Sequence, residues 1–481
     1  MLTDTCPEPL PASQPTPAET LNSVTDITMA DINNSPSEPA DTWGQVPVAS
    51  VARNTYSSIV MVMERQTKLF SAQKTVAGQA TAGPVLANLE PISLSIGDPT
   101  VFGNFKTHPE VTQAVARQLE GGRANGYILT VGSETARAAV ARQFTHPAAP
   151  LTPADVVMTN NGCLGAIEMA ISCLVDAGQN ILLPRPSFTL YETIALARRI
   201  EVREYPLLPE RQWEVDLEAF EALMDDQTGA VLINNPSNPC GSVFSRAHLR
   251  AILDVCARKR VPVISDEIYG TMVFGSTDPP GAAVYDANDG HDDAVQPRFY
   301  PMATLTDTVP ILTVSGLAKQ WLVPGWRCGW ILIHDKGGRF ANVRKGLFSL
   351  SSSLLGPSSL IQAAIPDIFN HVPASFFAET TAQIAQHAKV VHGLLKDIPG
   401  LQVGEAQGAM YVMVGIQQEH FPQFQDDIDF ALRLGMEQRV EVLPGSCFKI
   451  PNFVRLVLTP PQDKLEEACH RIAQFCAKHY Q

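Results

Sequence analysis

The sequence predicts a doubly wound α/β fold, in which a large domain with a mainly parallel sheet is joined to a smaller α+β domain. The chain has 481 residues, which is more than a single hydrophobic core usually contains. Between about residues 150 and 335, short apolar runs alternate with helical stretches, a pattern typical of parallel strands joined by crossover helices. Beyond about residue 356, longer helical patterns replace this alternation.

The apolar runs have the length and the β-branched content of buried strands. They are Val156–Met158, Asn180–Leu183, Ala230–Ile233, Val261–Ile264, Ile311–Val314 and Cys328–Ile333. Between the third run and the fourth, Ser245 precedes apolar residues at helical spacing, which predicts a helix N-cap and one βαβ unit. Later helices and strands are predicted at Thr380–Leu395, Lys464–His479, Ala409–Val414 and Val454–Leu458.

Composition divides the chain into regions. Residues 1–45 are rich in Pro, Ser, Thr, Asp and Glu, and we expect disorder because such a segment buries too little apolar surface to offset its ordering entropy. We expect residues 50–105 and 356–481 to form the small domain and residues 106–355 the large one. Residues 275–300 contain five aspartates after a strand-like Tyr269–Phe274, which predicts a surface loop.

Charge and cysteine content exclude several classes of protein. The formal net charge of −14 argues against binding to nucleic acid or to an anionic membrane, since both require a basic face. The nine cysteines are scattered without a C-x-x-C pair, which argues against a disulfide framework and a metal site. The acidic tail has no basic leader segment, and no apolar run reaches the ~18 residues of a membrane span. We therefore expect a soluble, cytoplasmic protein.

Polar residues follow the predicted strands at their carboxyl ends, where open α/β sheets bind ligands. They are Asn238, Asp266, Tyr269 and Lys319. A lysine in dry surroundings has a lowered pKa and forms Schiff bases readily. Taken alone, Lys319 is equally consistent with a structural lysine at a strand end whose ammonium group extends into water. Asp266 alone is equally consistent with a residue that caps a helix. Together with a phenol, they are the groups that a pyridine cofactor acting as an electron sink requires.

A phosphate site is predicted beside this crevice. Arg327, eight residues after Lys319, offers a forked guanidinium to a phosphate dianion. The segment Asn161–Gly165 follows a strand and opens an apolar helix, so its backbone N–H groups would face an anion. A glycine-rich turn is weak evidence by itself because most such turns only cap helices, but Arg327 strengthens it.

The segment Ser315–Trp330 resembles the lysine signature of class I pyridoxal-phosphate-dependent aminotransferases and, more narrowly, of the tyrosine aminotransferases among them. Further blocks that carry the resemblance are Ser95–Gly103, Asn234–Phe244, Asp266–Tyr269, Gly408–Tyr411 and Pro451–Arg455. The resemblance covers nearly all of residues 50–480. It implies the fold of the type I pyridoxal phosphate enzymes.

The resemblance also implies roles around the cofactor ring. Lys319 would hold pyridoxal 5'-phosphate as a Schiff base and then move a proton between the substrate α-carbon and the cofactor. Asp266 would pair with the ring nitrogen, and Tyr269 and Asn238 would donate to the phenolate oxygen. Phe188 would stack on the ring.

The remaining implied roles concern the phosphate and the subunit interface. Arg327 would hold the phosphate with the backbone amides of Gly162 and Cys163. Tyr127 would reach the phosphate of the neighbouring subunit, so the active enzyme would be a homodimer.

For the substrate, the resemblance implies that Arg455 binds the α-carboxylate, with Asn238 and the Gly97 backbone nearby. It implies an aromatic L-amino acid, tyrosine first, and 2-oxoglutarate as the acceptor. A carbon–sulfur β-lyase and an aminotransferase of broad or methionine-type specificity are the alternatives. A nicotinamide dehydrogenase is disfavoured because no G-x-G-x-x-G follows a strand. A catalytically inactive scaffold is disfavoured because Lys319, Asp266 and Arg455 are all present.

Three departures from the family pattern concern substrate preference more than chemistry. Gly316 stands where many aminotransferases have serine, and Leu164 stands where tyrosine aminotransferases tend to have a small polar residue. Residues 128–132 read Ile-Leu-Thr-Val-Gly in place of the more usual Ala-Pro-Ser-Ile-Gly.

Overall fold

The computed structural model describes residues 46–55, 59–62, 64–65, 89–276, 278–281 and 296–481. The chain separates into two units, Met1–Asn54 and Thr55–Gln481. The predicted disorder of residues 1–45 and most of the predicted 275–300 loop lie outside the described residues. Within those residues, no helix is both long enough and apolar enough to cross a bilayer.

The strands of the described residues are numbered in chain order. They are β1 (Ile92–Ser93), β2 (Val156–Thr159), β3 (Asn180–Arg185), β4 (Glu201–Leu208), β5 (Glu214–Val215), β6 (Thr228–Asn234), β7 (Val263–Asp266), β8 (Ile311–Gly316), β9 (Gly329–His334), β10 (Leu401–Val403), β11 (Tyr411–Ile416), β12 (Val440–Glu441), β13 (Leu443–Pro444) and β14 (Phe453–Val457). Each of the six predicted apolar runs overlaps one of these strands.

The α-helices are numbered in the same way. They are α1 (Ser50–Arg53), α2 (Pro109–Gly121), α3 (Glu134–Phe144), α4 (Gly162–Leu174), α5 (Leu190–Ala197), α6 (Leu217–Ala222), α7 (Arg246–Lys259), α8 (Ala341–Leu354), α9 (Ser359–His371), α10 (Ala374–Leu395), α11 (Asp427–Gln438) and α12 (Gln462–His479). The two long helices predicted near the carboxyl end of the chain are α10 and α12.

Side-chain caps fix where several helices begin. Ser245 accepts a hydrogen bond from the His248 amide at 3.2 Å, which confirms the predicted cap of α7. Ser133 and Asp216 cap α3 and α6 in the same way. Each such cap contributes about 1 kcal/mol because it satisfies a backbone N–H that has no partner inside the helix.

The main sheet has eight strands in the order β2-β9-β8-β7-β6-β3-β4-β5. The neighbours from β8 through β4 pair in parallel, whereas β9 and β5 run antiparallel to their neighbours. Strand β8 is buried along its whole length, as expected for a sheet that is covered on both faces. The predicted α/β fold with a mainly parallel sheet is therefore confirmed.

One predicted strand is wrong. Residues 269–274 form turns and contribute only an isolated bridge between Val273 and Gly408. The backbone turns directly after Asp266, since the amide of Gly270 donates to the carbonyl of Glu267 at 2.9 Å and the amide of Met272 donates to that of Tyr269 at 2.7 Å. These local hydrogen bonds replace the ladder that a strand would form.

A short pairing ties an early segment of the chain to a late one. Strand β1 pairs in parallel with β12, and the Val457 amide donates to the Leu94 carbonyl at 3.0 Å. The second sheet, in the order β10-β11-β14-β13, is antiparallel. The pairing therefore places Ser95–Gly97 beside β14.

Candidate active site

A cavity of about 400 Å³ lies at the carboxyl ends of β6, β7 and β8. Strands that run in parallel end at the same edge of a sheet, which is why residues that are far apart in sequence meet there. Most of the predicted site residues line the cavity: Gly97, Cys163, Phe188, Asn238, Asp266, Tyr269, Lys319, Arg327 and Arg455.

Lys319 follows the end of β8. It is half-buried, so its surroundings are less dry than predicted, because the cavity leaves one side of the side chain open. Its Nζ donates to the Gly97 carbonyl oxygen at 2.6 Å, which holds the amine inside the cavity. A Cβ at Gly316 would lie 2.7 Å from the Cys328 carbonyl oxygen, so the serine found in many relatives would not fit here without a shift of the backbone.

Asp266 ends β7 and is only 3% exposed. Its Oδ2 accepts from the Tyr191 hydroxyl at 2.6 Å. Its Oδ1 accepts from the Ile268 amide at 3.1 Å and lies 3.7 Å from the Cys163 Sγ. Burial raises the pKa of the Asp266 carboxyl, and the hydrogen bonds from these donors oppose the rise.

Tyr269 lies in the turn that follows Asp266. Its hydroxyl is 2.8 Å from the Tyr411 hydroxyl, and burial raises the pKa of the Tyr269 phenol well above its ordinary value. A Cβ at Gly97 would lie 2.3 Å from the Tyr411 oxygen, so a side chain at that position would displace the pair. Asn238 is held nearby because its backbone N–H donates to Asn234 Oδ1 at 2.8 Å.

Arg455 lies on β14 and is 4% exposed. Its Nη1 donates to Asn238 Oδ1 at 3.0 Å and its Nη2 to the Ser95 carbonyl at 2.6 Å. The guanidinium also lies 4.5 Å from the Tyr411 ring centroid and 4.9 Å from that of Phe448. Its Nε is buried without a hydrogen-bond partner in the described residues. Burial lowers the pKa of Arg455, and a bound carboxylate would satisfy the remaining donors.

Arg327 meets the first residues of α4 at the exposed edge of the cavity. Its Nη2 donates to the Asn161 carbonyl at 2.6 Å, and its Nη1 donates to the Pro324 carbonyl at 3.0 Å. The Gly162 amide donates to the Arg327 carbonyl at 2.8 Å. A Cβ at Gly162 would lie 3.3 Å from Arg327 Nη1, so the lack of a side chain there leaves room for the guanidinium. The predicted roles of the Gly162 and Cys163 amides at a phosphate stay predictions.

Two predicted site residues, Gly162 and Tyr127, do not line the cavity. Tyr127 is 97% exposed, so its predicted role depends on a second subunit. Four residues that shape the site were not predicted from the sequence: Ser95, Tyr191, Asn234 and Tyr411. Tyr191 lies three residues after Phe188, and Tyr411 ends one of the blocks that carry the resemblance, but the motifs do not show which groups their hydroxyls contact.

These groups fit a phosphorylated pyridine aldehyde. Asp266 is a buried acid that a protonated ring nitrogen would neutralise, and Lys319 supplies an amine for the aldehyde. Arg327 lies at the edge of the cavity, where a phosphate would remain partly hydrated. Among the described residues, no group of three or more His, Cys, Asp and Glu side chains is arranged to hold a metal ion.

Comparison with known proteins gives a consistent result. Residues 90–472 match the family described as aminotransferase class I and II. The chain is 49% identical to the tyrosine aminotransferase of Mus musculus over 390 residues, which cover 81% of each protein. It is 41% identical to the tyrosine aminotransferase of Dictyostelium discoideum, over 82% of this chain and 90% of that protein.

A solved structure extends this similarity to the fold. The tyrosine aminotransferase of Leishmania infantum superimposes with a TM-score of 0.78 and is 32% identical. The match covers 92% of this chain and all of that one.

Proposed function

The chain belongs to the aminotransferase class I and II family, and from this premise we propose that it transfers the amino group of an aromatic L-amino acid, L-tyrosine first, to a 2-oxo acid such as 2-oxoglutarate. Enzymes of this family depend on pyridoxal 5'-phosphate. The observation that carries the proposal is the meeting of Lys319, Asp266 and Arg455 on one cavity.

When bound, pyridoxal phosphate supplies an electron sink that stabilises the negative charge left on a substrate α-carbon after its proton is removed. We infer that Asp266 holds the ring nitrogen protonated through its buried carboxylate. Tyr269 and Asn238 would donate to the ring oxygen, and Phe188 would pack against the ring face. Arg327 and the Cys163 amide would hold the phosphate.

Lys319 performs the proton transfer in this proposal. Its Nζ, held by the Gly97 carbonyl, would take the proton from the substrate α-carbon and deliver it to the carbon that carried the cofactor's aldehyde, and would move a proton in the opposite direction in the half-reaction with the 2-oxo acid. The half-buried Lys319 side chain lines the cavity, so its amine can reach a substrate bound there.

Arg455 fixes the substrate for that transfer. Two of its N–H groups are held by Asn238 and Ser95, and a guanidinium has five N–H donors, so the others remain for the α-carboxylate. Ile96, Leu164 and Leu190 line the same cavity and offer an apolar wall to an aromatic side chain. Since Arg455 recognises the carboxylate and this wall accepts a large apolar group, an aromatic amino acid is the proposed substrate.

We propose a homodimer in which Tyr127 reaches the phosphate of the neighbouring subunit. Two observations support it: Tyr127 is 97% exposed, and the Arg327 edge of the cavity is open to solvent in the single chain. We also propose that residues 106–355 form the large domain and that residues 50–105 and 356–481 form the small one. The pairing of β1 with β12 supports this division.

A cytoplasmic location is part of the proposal. The cysteines in the described part of the chain form no disulfide with one another, as expected in a reducing compartment.

The test is a two-substrate assay with purified protein, pyridoxal phosphate and 2-oxoglutarate. L-Tyrosine, L-phenylalanine, L-methionine and L-alanine are compared by glutamate formation. Of these four amino acids, we expect L-tyrosine to give the highest kcat/KM. A preference for L-methionine would contradict the aromatic substrate, whereas pyruvate and ammonia from a cysteine conjugate without any glutamate would indicate lyase chemistry.

A further inference from the structure

Asp266 is held by a tyrosine that the proposed mechanism does not use. The Tyr191 hydroxyl donates to Asp266 Oδ2 at 2.6 Å, which is shorter than the 3.1 Å contact from the Ile268 amide and the 3.7 Å contact from Cys163 Sγ. Tyr191 is 1% exposed, so water does not compete for this hydrogen bond. Each oxygen of the carboxylate thus has a donor of its own within the chain.

Tyr191 is fixed by the segment that also carries Phe188. The Tyr191 amide donates to the Phe188 carbonyl at 3.2 Å, and the two rings meet edge to face with centroids 5.5 Å apart. One short segment at the start of α5 therefore supplies the ring that faces the cavity and the hydroxyl that holds the acid. A shift of this segment would disturb both at once.

The electrostatics make Tyr191 a permanent donor. Burial, and then the charge of Asp266, raise the pKa of the Tyr191 phenol well above its ordinary value, so the hydroxyl keeps its proton at any pH near neutral. In return, its hydrogen bond lowers the pKa of the Asp266 carboxyl, which burial raises. The other titratable groups that interact with Asp266 are Cys163, Tyr269 and Glu267.

We propose that Tyr191 is a positioning residue that keeps Asp266 ionised and oriented toward the nitrogen of the cofactor ring. The inference rests on the proposed function, because it requires that Asp266 meet that nitrogen. Tyr191 itself acts only through Asp266.

The test is the dissociation constant of pyridoxamine 5'-phosphate for the apoprotein, measured by isothermal titration calorimetry from pH 6 to pH 8.5. This probe lacks the aldehyde, so its binding does not depend on a bond to Lys319. In Tyr191→Phe, we expect the dissociation constant of the probe to rise about tenfold to a hundredfold at pH 6. This is the range for loss of one hydrogen bond to a charged group. The ratio to wild type should shrink as the pH rises, because the variant raises the pKa of Asp266 and leaves it neutral over more of the acid range.

Tyr205→Phe is the matched control. Tyr205 is also 1% exposed, and its hydroxyl donates to the Leu232 carbonyl at 2.8 Å within the sheet. This variant loses a buried phenol hydrogen bond without touching Asp266, so its affinity for the probe should equal that of wild type at every pH. Thermal unfolding of each apoprotein checks that the variants fold.

The outcomes separate the inference from the proposed function. A Tyr191→Phe protein that matches wild type in affinity at every pH overturns the inference, and so does a weakening that is the same at every pH. Failure of wild type to bind the probe would overturn the proposed function instead.

Discussion

Replacing Arg455 with lysine keeps a positive charge on β14 but removes the forked geometry. The guanidinium donates one N–H to Asn238 and one to Ser95. Its Nε has no hydrogen-bond partner in the described residues. A lysine ammonium in the same place would retain a single charged contact to the substrate carboxylate, whereas the fork makes two. The expected loss is one charge-assisted hydrogen bond, worth about 1.5–3 kcal/mol.

That loss predicts a rise in KM for L-tyrosine of about tenfold to a hundredfold, with a smaller change in kcat because Lys319 is untouched. Steady-state kinetics with 2-oxoglutarate measure both quantities. Arg471→Lys is the control, since Arg471 is likewise buried at 5% exposure but donates to the Glu90 and Gln438 carbonyls away from the cavity. A KM for Arg455→Lys equal to that of wild type would refute the assignment of the carboxylate site to Arg455.

Three further predictions test other parts of the account. Lys319→Ala should lower kcat about a thousandfold or more, because it removes the nucleophile and the proton carrier together; Lys478→Ala, a surface lysine paired with Glu437, should retain full turnover. Gly97→Ala should lower kcat/KM at least about tenfold, because its Cβ would lie 2.3 Å from the Tyr411 hydroxyl, whereas Gly121→Ala enters open space and should leave kcat/KM unchanged. Burial raises the pKa of Glu267 from 4.5 to about 7, so the folded state binds a proton that the unfolded state releases, and stability should fall by about 3 kcal/mol as the pH rises from 4.5 through 7. Glu267→Gln should flatten that decline in thermal unfolding, and an unchanged pH profile would contradict the assignment.

The parts of the site that follow strand ends were predictable from sequence. Asp266 and Lys319 come directly after apolar runs, and parallel strands bring their carboxyl ends to one edge of the sheet. The same rule placed Asn238. The cap at Ser245 was predictable for a similar reason, since a cap depends on residues three positions apart.

The parts that depend on distant contacts were not predictable. Ser95 reaches Arg455 only because β1 pairs with β12, and no local pattern encodes a pairing between two-residue strands so far apart. Tyr411 and Tyr191 carry apolar rings whose periodicity fits a core position equally well. The groups that their hydroxyls contact, Asp266 and Tyr269, lie far away in sequence and become neighbours only in the folded chain.

In the turn after Asp266, by contrast, a local pattern was present but predicted the wrong structure. Residues 269–274 contain aromatic and β-branched side chains, which favour a strand by composition. The backbone instead closes hydrogen bonds within the turn, and this places Tyr269 at the cavity. Composition alone therefore did not determine the backbone path of this segment.

The central claim is that the residues of this cavity catalyse an amino-transfer half-reaction with L-tyrosine. An absorbance spectrum tests this claim most directly. Purified protein with pyridoxal phosphate is recorded before and after addition of L-tyrosine without any 2-oxo acid. We expect the visible band of the bound cofactor to give way to the near-ultraviolet band of its amine form, and 2-oxoglutarate to restore the first spectrum. A spectrum that shows no bound cofactor, or one that ignores L-tyrosine at saturating concentration, would contradict the account.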